Sequence, residues 1–116
     1  VKNAADIAAV PGIDVLLIGS FDLTTDLGVP GRMDHPKLID AYEEVARACR
    51  KHGKVLGMGG INGQEDARRF IGMGARFVTN ASDHAYLLEG ARARTGFLRG
   101  CATGGGGKRR GKAKAS

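Results

Sequence analysis

Apolar positions along the chain fall into short continuous runs, each followed by a longer stretch with helical spacing. The first run, Val15-Leu16-Leu17-Ile18, stops at Gly19. Such a run predicts a strand over about residues 14–19, buried on both faces as in a parallel sheet covered by helices. Before it, Asn3 stands three residues ahead of Asp6 and suits the cap of a short helix over residues 4–9. Val10-Pro11-Gly12 ends that helix in a turn. After the strand comes a loop carrying Asp22, and then Asp34 as the expected cap of a longer helix with Pro36 in its first turn. Leu38, Tyr42, Val45 and Cys49 recur at spacings of three and four, with Ile39 and Ala46 widening the stripe. Acids lie toward the start of this helix and Arg50, Lys51 and His52 toward its end, complementing the helix dipole, and Gly53 supplies a left-handed stop.

The same alternation then repeats. Residues 54–58 predict a weaker strand that ends in Gly59-Gly60. Asn62 followed by Glu65 predicts the start of a helix with Ala67, Phe70 and Ile71 on one face, ended by Gly74. Residues 76–79 predict a third strand. Ser82 or Asp83 caps a last helix bearing Leu87, Leu88, Ala91 and Leu98. The order α-β-α-β-α-β-α with short connections predicts an α/β fold with parallel strands. Three such strands close no barrel and leave both sheet edges bare. The pattern therefore reads as a piece of something larger, and a chain opening on Val1 rather than Met fits that expectation.

Composition changes this picture only at the end. The net charge is +6, but Lys108, Arg109, Arg110, Lys112 and Lys114 carry five of those charges. The rest is nearly neutral, which argues against a nucleic-acid partner except through the tail. Composition shifts at about Gly104 to four glycines and a basic cluster. We expect residues 101–116 to be a disordered Gly/Lys/Arg-rich tail after a domain over residues 1–100. Cys49 and Cys101 lack metal-type spacing and show no disulfide framework, and Cys49 on an apolar face reads as a small hydrophobe. No apolar run approaches the length of a membrane span, and no leader is visible, so a cytoplasmic protein is expected.

Candidate chemistry concentrates at Asp22, just beyond the buried strand, because ligands sit at the carboxyl ends of strands in parallel sheets and barrels. A turn-forming role, shared with Thr24, Thr25 and Asp26, is the structural alternative. Ser20, Phe21 and Asp22 also offer consecutive backbone N–H groups suited to an anion. An acid beside such amides suits a hard divalent ion with a bound carboxylate or phosphate. Gly57-Met58-Gly59-Gly60-Ile61-Asn62-Gly63 fails as a dinucleotide fingerprint, since Asn62 stands where a glycine is required. His35, His52 and His84 have no visible orienting partner, and no nucleophile–histidine constellation can be built.

Val10-Pro11-Gly12-Ile13-Asp14, Ile18-Gly19-Ser20-Phe21-Asp22-Leu23, Leu27-Gly28, Pro30-Gly31 and His35-Pro36 together resemble the HpcH/HpaI aldolase/citrate lyase family. Gly53-Lys54 before Gly57, Gly74-Ala75-Arg76-Phe77-Val78, and Asp83 with Leu87-Leu88 extend the likeness over residues 1–98. The resemblance implies the C-terminal portion of a TIM-type (β/α)8 barrel, about three βα units, supplying its sixth to eighth strands. It implies that Asp22 binds a divalent metal, Mg2+ first and Mn2+ or Co2+ as alternatives. The backbone at Ser20, Phe21 and Asp22 would hold the carboxylate of a 2-oxo acid. The family usually has proline at the position of Ser20 and often alanine at that of Phe21.

The implied reaction is aldol cleavage or formation of 2-oxo-3-deoxy or 4-hydroxy-2-oxo acids, giving pyruvate and an aldehyde through a metal-bound enolate. The family's second metal ligand, a glutamate, and its catalytic histidine and arginine would lie upstream of Val1, so the chain carries no catalytic residue of its own and is expected to be inactive alone. Self-association into a homo-oligomer follows from the same resemblance. Two alternatives of other classes are a non-catalytic partial barrel used for assembly and a nucleic-acid binder working through the basic tail.

Overall fold

The computed structural model describes residues 1–103, in two compact units, Val1–Ala81 and the stretch from Ser82 onward. The first unit contains α1 (Ala4–Ala9), β1 (Val15–Gly19), α2 (Ser20–Asp26), α3 (Pro36–His52), β2 (Val55–Gly59), α4 (Gln64–Gly72) and β3 (Ala75–Val78). Its strands form one parallel sheet in the order β1-β2-β3, and all three carboxyl ends share one rim. The register sets Leu17 beside Gly57 beside Phe77, and Gly19 beside Gly59.

Two of the seven elements of this unit depart from expectation in ways that matter for the site. Ser20–Asp26, expected as a loop, is a helix of 7 residues beginning directly at the strand end. Its hydroxyls make it look like a turn in sequence, yet Thr24 and Thr25 both donate back to the Phe21 carbonyl, at 2.8 and 3.0 Å, within helical geometry. β1 is not buried on both faces. Leu16 and Ile18 are buried, whereas Leu17 is 49% exposed, because the helices of this unit cover only one side of the sheet.

α1 starts after Asn3 as expected, without a side-chain cap bond, whereas the starts of α3 and α4 differ by one residue from the expected caps. Pro36 holds the residue before it extended, so His35 caps α3 in place of Asp34, its Nδ1 accepting from the Lys37 amide at 3.2 Å. Asp34 instead faces Arg32 in an exposed pair at 4.0 Å. Gly63, not Asn62, precedes α4. The Asp66 carboxylate folds over it, with Oδ2 3.0 Å from where a Cβ would stand. At the other end of α3, Gly53 adopts φ 65° and closes the helix as expected.

The core lies between the covered face of the sheet and α3 and α4, with α1 packed against α3. Leu16, Ile18, Leu56 and Met58 meet Leu38 and Tyr42 there, and all are buried. Tyr42 stacks on Phe70 of α4 with ring centroids 4.0 Å apart and planes inclined by 26°. Cys49 is buried in the same core as a free thiol, and burial pushes its pKa up. The opposite face keeps Leu17, Val55 and Phe77 exposed around Gly57.

The second unit is α5 (Asp83–Thr103). Asp83 Oδ1 accepts the His84 amide at 2.7 Å, and Ser82 Oγ bonds His84 Nδ1 at 3.0 Å, which fixes the helix start. Leu87, Leu88, Phe97 and Leu98 are exposed along it, and the Arg94 guanidinium lies 5.5 Å from the Phe97 ring centroid. The helix includes Cys101 and Ala102, so the expected tail would begin no earlier than residue 104, and residues 104–116 lie outside the described residues. Among the described residues no helix is long and apolar enough to cross a membrane.

Candidate functional site

The candidate site is built where β1 ends. Gly19 closes the strand and serves as the N-cap of α2, so the chain passes from sheet to helix with no intervening loop. The first amides of a helix have no intrahelical acceptor, and here no side chain caps them. The amides of Ser20, Phe21 and Asp22 therefore gather at the rim, with the positive end of a short helix dipole.

Asp22 stands in the first turn of α2 and is exposed. Its carboxylate turns back toward the strand, with Oδ2 3.3 Å from the position a Gly19 Cβ would take. Gly59, in register with Gly19, has Thr79 Oγ1 2.6 Å from its own Cβ position. In-register parallel neighbours present their Cβ positions to the same face. A carboxylate and a hydroxyl thus occupy the space above two side-chain-free positions on adjacent strands. Gly60, with φ 74°, lets β2's exit approach α2, where a Cβ would come within 3.3 Å of the Phe21 nitrogen.

Of the three residues expected at the site, Phe21 and Asp22 are exposed at the rim, and Ser20 faces inward. The Ser20 hydroxyl is fully buried and bonds the Tyr42 hydroxyl at 2.7 Å, so only its amide faces the rim. Burial raises the Tyr42 pKa, and the bond to Ser20 offsets part of that rise. Thr24, also fully buried, accepts the Gly31 amide at 3.0 Å through Oγ1, and its carbonyl accepts the Val29 amide at 2.8 Å. The loop after α2 is held further along by Lys37 Nζ on the Leu27 carbonyl and Arg69 Nη1 on the Met33 carbonyl, at 3.3 and 3.5 Å.

Sequence reasoning missed Tyr42 and Thr79. Tyr42 sits at a helical spacing that reads as plain core, and its hydroxyl was the one signal that a buried partner is needed. Thr79 gains meaning only from strand register, which a single sequence does not print.

The fit of a divalent ion can be judged from the donors present. Among the described residues no three His, Cys, Asp or Glu side chains come together. Asp22 nevertheless offers the kind of donor magnesium uses, since that ion binds through one or two carboxylates and completes its shell with substrate and water. The residues fit one edge of such a site and not a whole one.

Comparison with known proteins agrees with this partial character. A family model described as HpcH/HpaI aldolase/citrate lyase matches residues 1–89. A 4-hydroxy-4-methyl-2-oxoglutarate aldolase of Chaetomium globosum is 49% identical over 93 residues, covering 78% of this chain and 35% of that protein. A 4-hydroxy-2-oxo-heptane-1,7-dioate aldolase of Klebsiella pneumoniae is 37% identical over 92 residues, covering 79% of this chain and 34% of the relative. The solved HpcH/HpaI aldolase/citrate lyase family protein of Burkholderia cenocepacia superposes with a TM-score of 0.75 at 31% identity, over 84% of this chain and 38% of that one. The chain thus spans about a third of the length of the curated relatives it matches.

Proposed function

The chain belongs to the HpcH/HpaI aldolase/citrate lyase family, with the fold of a partial α/β barrel, and from that premise we infer that it forms part of a carbon–carbon lyase. The reaction is aldol cleavage or formation of 4-hydroxy-2-oxo acids or their 3-deoxy sugar-acid counterparts, with pyruvate as one product. The observation that carries this reading is the Asp22 carboxylate, folded over Gly19 at the carboxyl end of β1 beside the uncapped amides of α2. Asp22 would hold a divalent ion, magnesium first and manganese or cobalt in its place. When bound, that ion supplies Lewis-acid polarisation of the substrate keto group. The Phe21 and Asp22 amides receive the substrate carboxylate and fix its orientation, with the Ser20 amide beside them. Further metal donors and the groups that move protons would come from the other strands of a complete barrel. The cytoplasmic location expected from the sequence and the homo-oligomeric state implied by the resemblance form part of the same proposal.

A second reading is a non-catalytic assembly module, favoured by the exposure of Leu17 and Phe77 at 49% and 46% on the uncovered sheet face. One experiment separates the two. Residues 1–89 of this chain replace the matching segment of an aldolase relative, and cleavage of 4-hydroxy-4-methyl-2-oxoglutarate is followed with added magnesium. The lyase reading predicts pyruvate release that Asp22→Asn abolishes. A correctly folded graft that is inactive, or one whose activity ignores Asp22→Asn, contradicts it.

A further inference from the structure

We propose that Tyr42 is a positioning residue for the rim of β1, acting through Ser20 to hold the first turn of α2 and with it the Asp22 carboxylate. This rests on the reading of Asp22 given above and adds to it a buried device on another helix.

The two buried polar side chains of the described residues, Ser20 and Thr24, are both on α2. Elsewhere the core is apolar, apart from the Tyr42 hydroxyl that meets Ser20 Oγ at 2.7 Å. Tyr42 is itself rigidly carried. It is fully buried on the 17-residue α3, and its ring is stacked on Phe70. The hydroxyl therefore presents a fixed point beneath α2. A helix of 7 residues is too short to keep its geometry by its own hydrogen bonds, so its orientation must come from outside contacts.

A hydroxyl pair in a buried core is a poor device for stability alone. Two apolar groups of the same shape fill the space without any desolvation to offset, whereas removing one partner strands the other. An apolar pair selects a rotation of α2 only through shape, because the hydrophobic driving force itself is not directional. The Ser20–Tyr42 bond is directional, and it acts two residues before Asp22. Thr24 secures the far side of the same turn through the Phe21 carbonyl and the Gly31 amide. With both anchors in place the Asp22 carboxylate is held over Gly19.

The test uses the full chain, isotope-labelled, as wild type, Tyr42→Phe, Ser20→Ala and the double variant. Urea unfolding reads stability, and the nuclear Overhauser cross-peak between Gly19 Hα and Asp22 Hβ reads position without any metal. The expected result is that each single variant loses stability, the double variant regains most of it, and the cross-peak is lost in the double variant all the same. A cross-peak of wild-type intensity in the double variant overturns the inference, including where a single variant fails to fold. Manganese ion alone, added as a relaxation probe, reads the metal role separately. Broadening at Phe21 and Asp22 that disappears in Asp22→Asn and weakens in the double variant supports the positioning. Broadening undiminished in the double variant overturns it. If the wild type shows no broadening at these residues, the metal assignment fails while the cross-peak still decides the role of Tyr42.

Discussion

The two faces of the three-stranded sheet differ sharply in exposure. On one face Leu16, Ile18, Leu56 and Met58 are all buried under α3, with relative exposures no higher than 9%. On the other, Leu17, Val55 and Phe77 stand 39–49% exposed around Gly57, a position where a Cβ would come within 3.0 Å of Leu17. The first face is a finished helix-on-sheet layer. The second has the composition of a barrel interior, large branched side chains set against small ones so that layers can interlock. The site lies at the rim of this second face, since Asp22 and Thr79 project over its paired glycines. Stability thus resides mainly on one side of the sheet and the proposed chemistry at the edge of the other.

Substitutions can break this contrast, and the largest effect belongs to the finished layer. Phe70→Ala removes the ring that supports Tyr42 and leaves a cavity in a fully buried position. It is expected to cost about 3–5 kcal/mol, read as a fall in the urea midpoint at constant slope. A cost below about 1 kcal/mol would show that α4 does not seal the core, since that is the range of exposed sites. The neighbouring pair Leu16 and Leu17 gives a smaller and sharper comparison on a single strand. Leu16→Ala should cost about 2–5 kcal/mol and Leu17→Ala about 0.5 kcal/mol in this chain. In a barrel completed with a relative's strands, Leu17 becomes interior, and its truncation should then cost as much as that of Leu16. Equal costs already in this chain would contradict the two-faced description.

A still smaller effect follows from the buried hydroxyl. The folded-state pKa of Tyr42 is raised above 10.0, so folding favours the neutral phenol. The unfolded chain loses this proton first as pH rises, and the resulting contribution opposes folding above about pH 10 while being absent below it. Urea unfolding between neutral pH and pH 11 should show a decline that Tyr42→Phe reduces. A decline of the same size in that variant would assign it to other groups.

Much of this architecture was legible in the chain itself. α1 and α3 carry their boundaries in local chemistry, with Pro36 and Gly53 as the clearest marks. The parallel order of the strands followed from short connections between alternating elements. α2 was not legible, because Ser20, Thr24 and Thr25 are residues that compete with helix by bonding backbone, and here they do so inside one. The exposure of Leu17 was hidden for a different reason. A run of apolar residues reports that both faces of a strand are suited to burial and says nothing of whether the covering elements belong to the same stretch. The place of Asp22 just beyond a strand end was legible from its distance to the apolar run. Its support by Tyr42 was not, since the bond spans 22 residues and depends on how α3 packs.

The central claim is that Asp22 supplies an oxygen to a divalent ion at the rim of β1. The most direct measurement is anomalous scattering from a crystal of the barrel graft grown with manganese. Coordination by Asp22 predicts a peak within about 2.0–2.6 Å of one of its carboxylate oxygens, on the side of the sheet that carries Leu17 and Phe77. A peak elsewhere on the barrel, with the Asp22 carboxylate left in solvent, would contradict it.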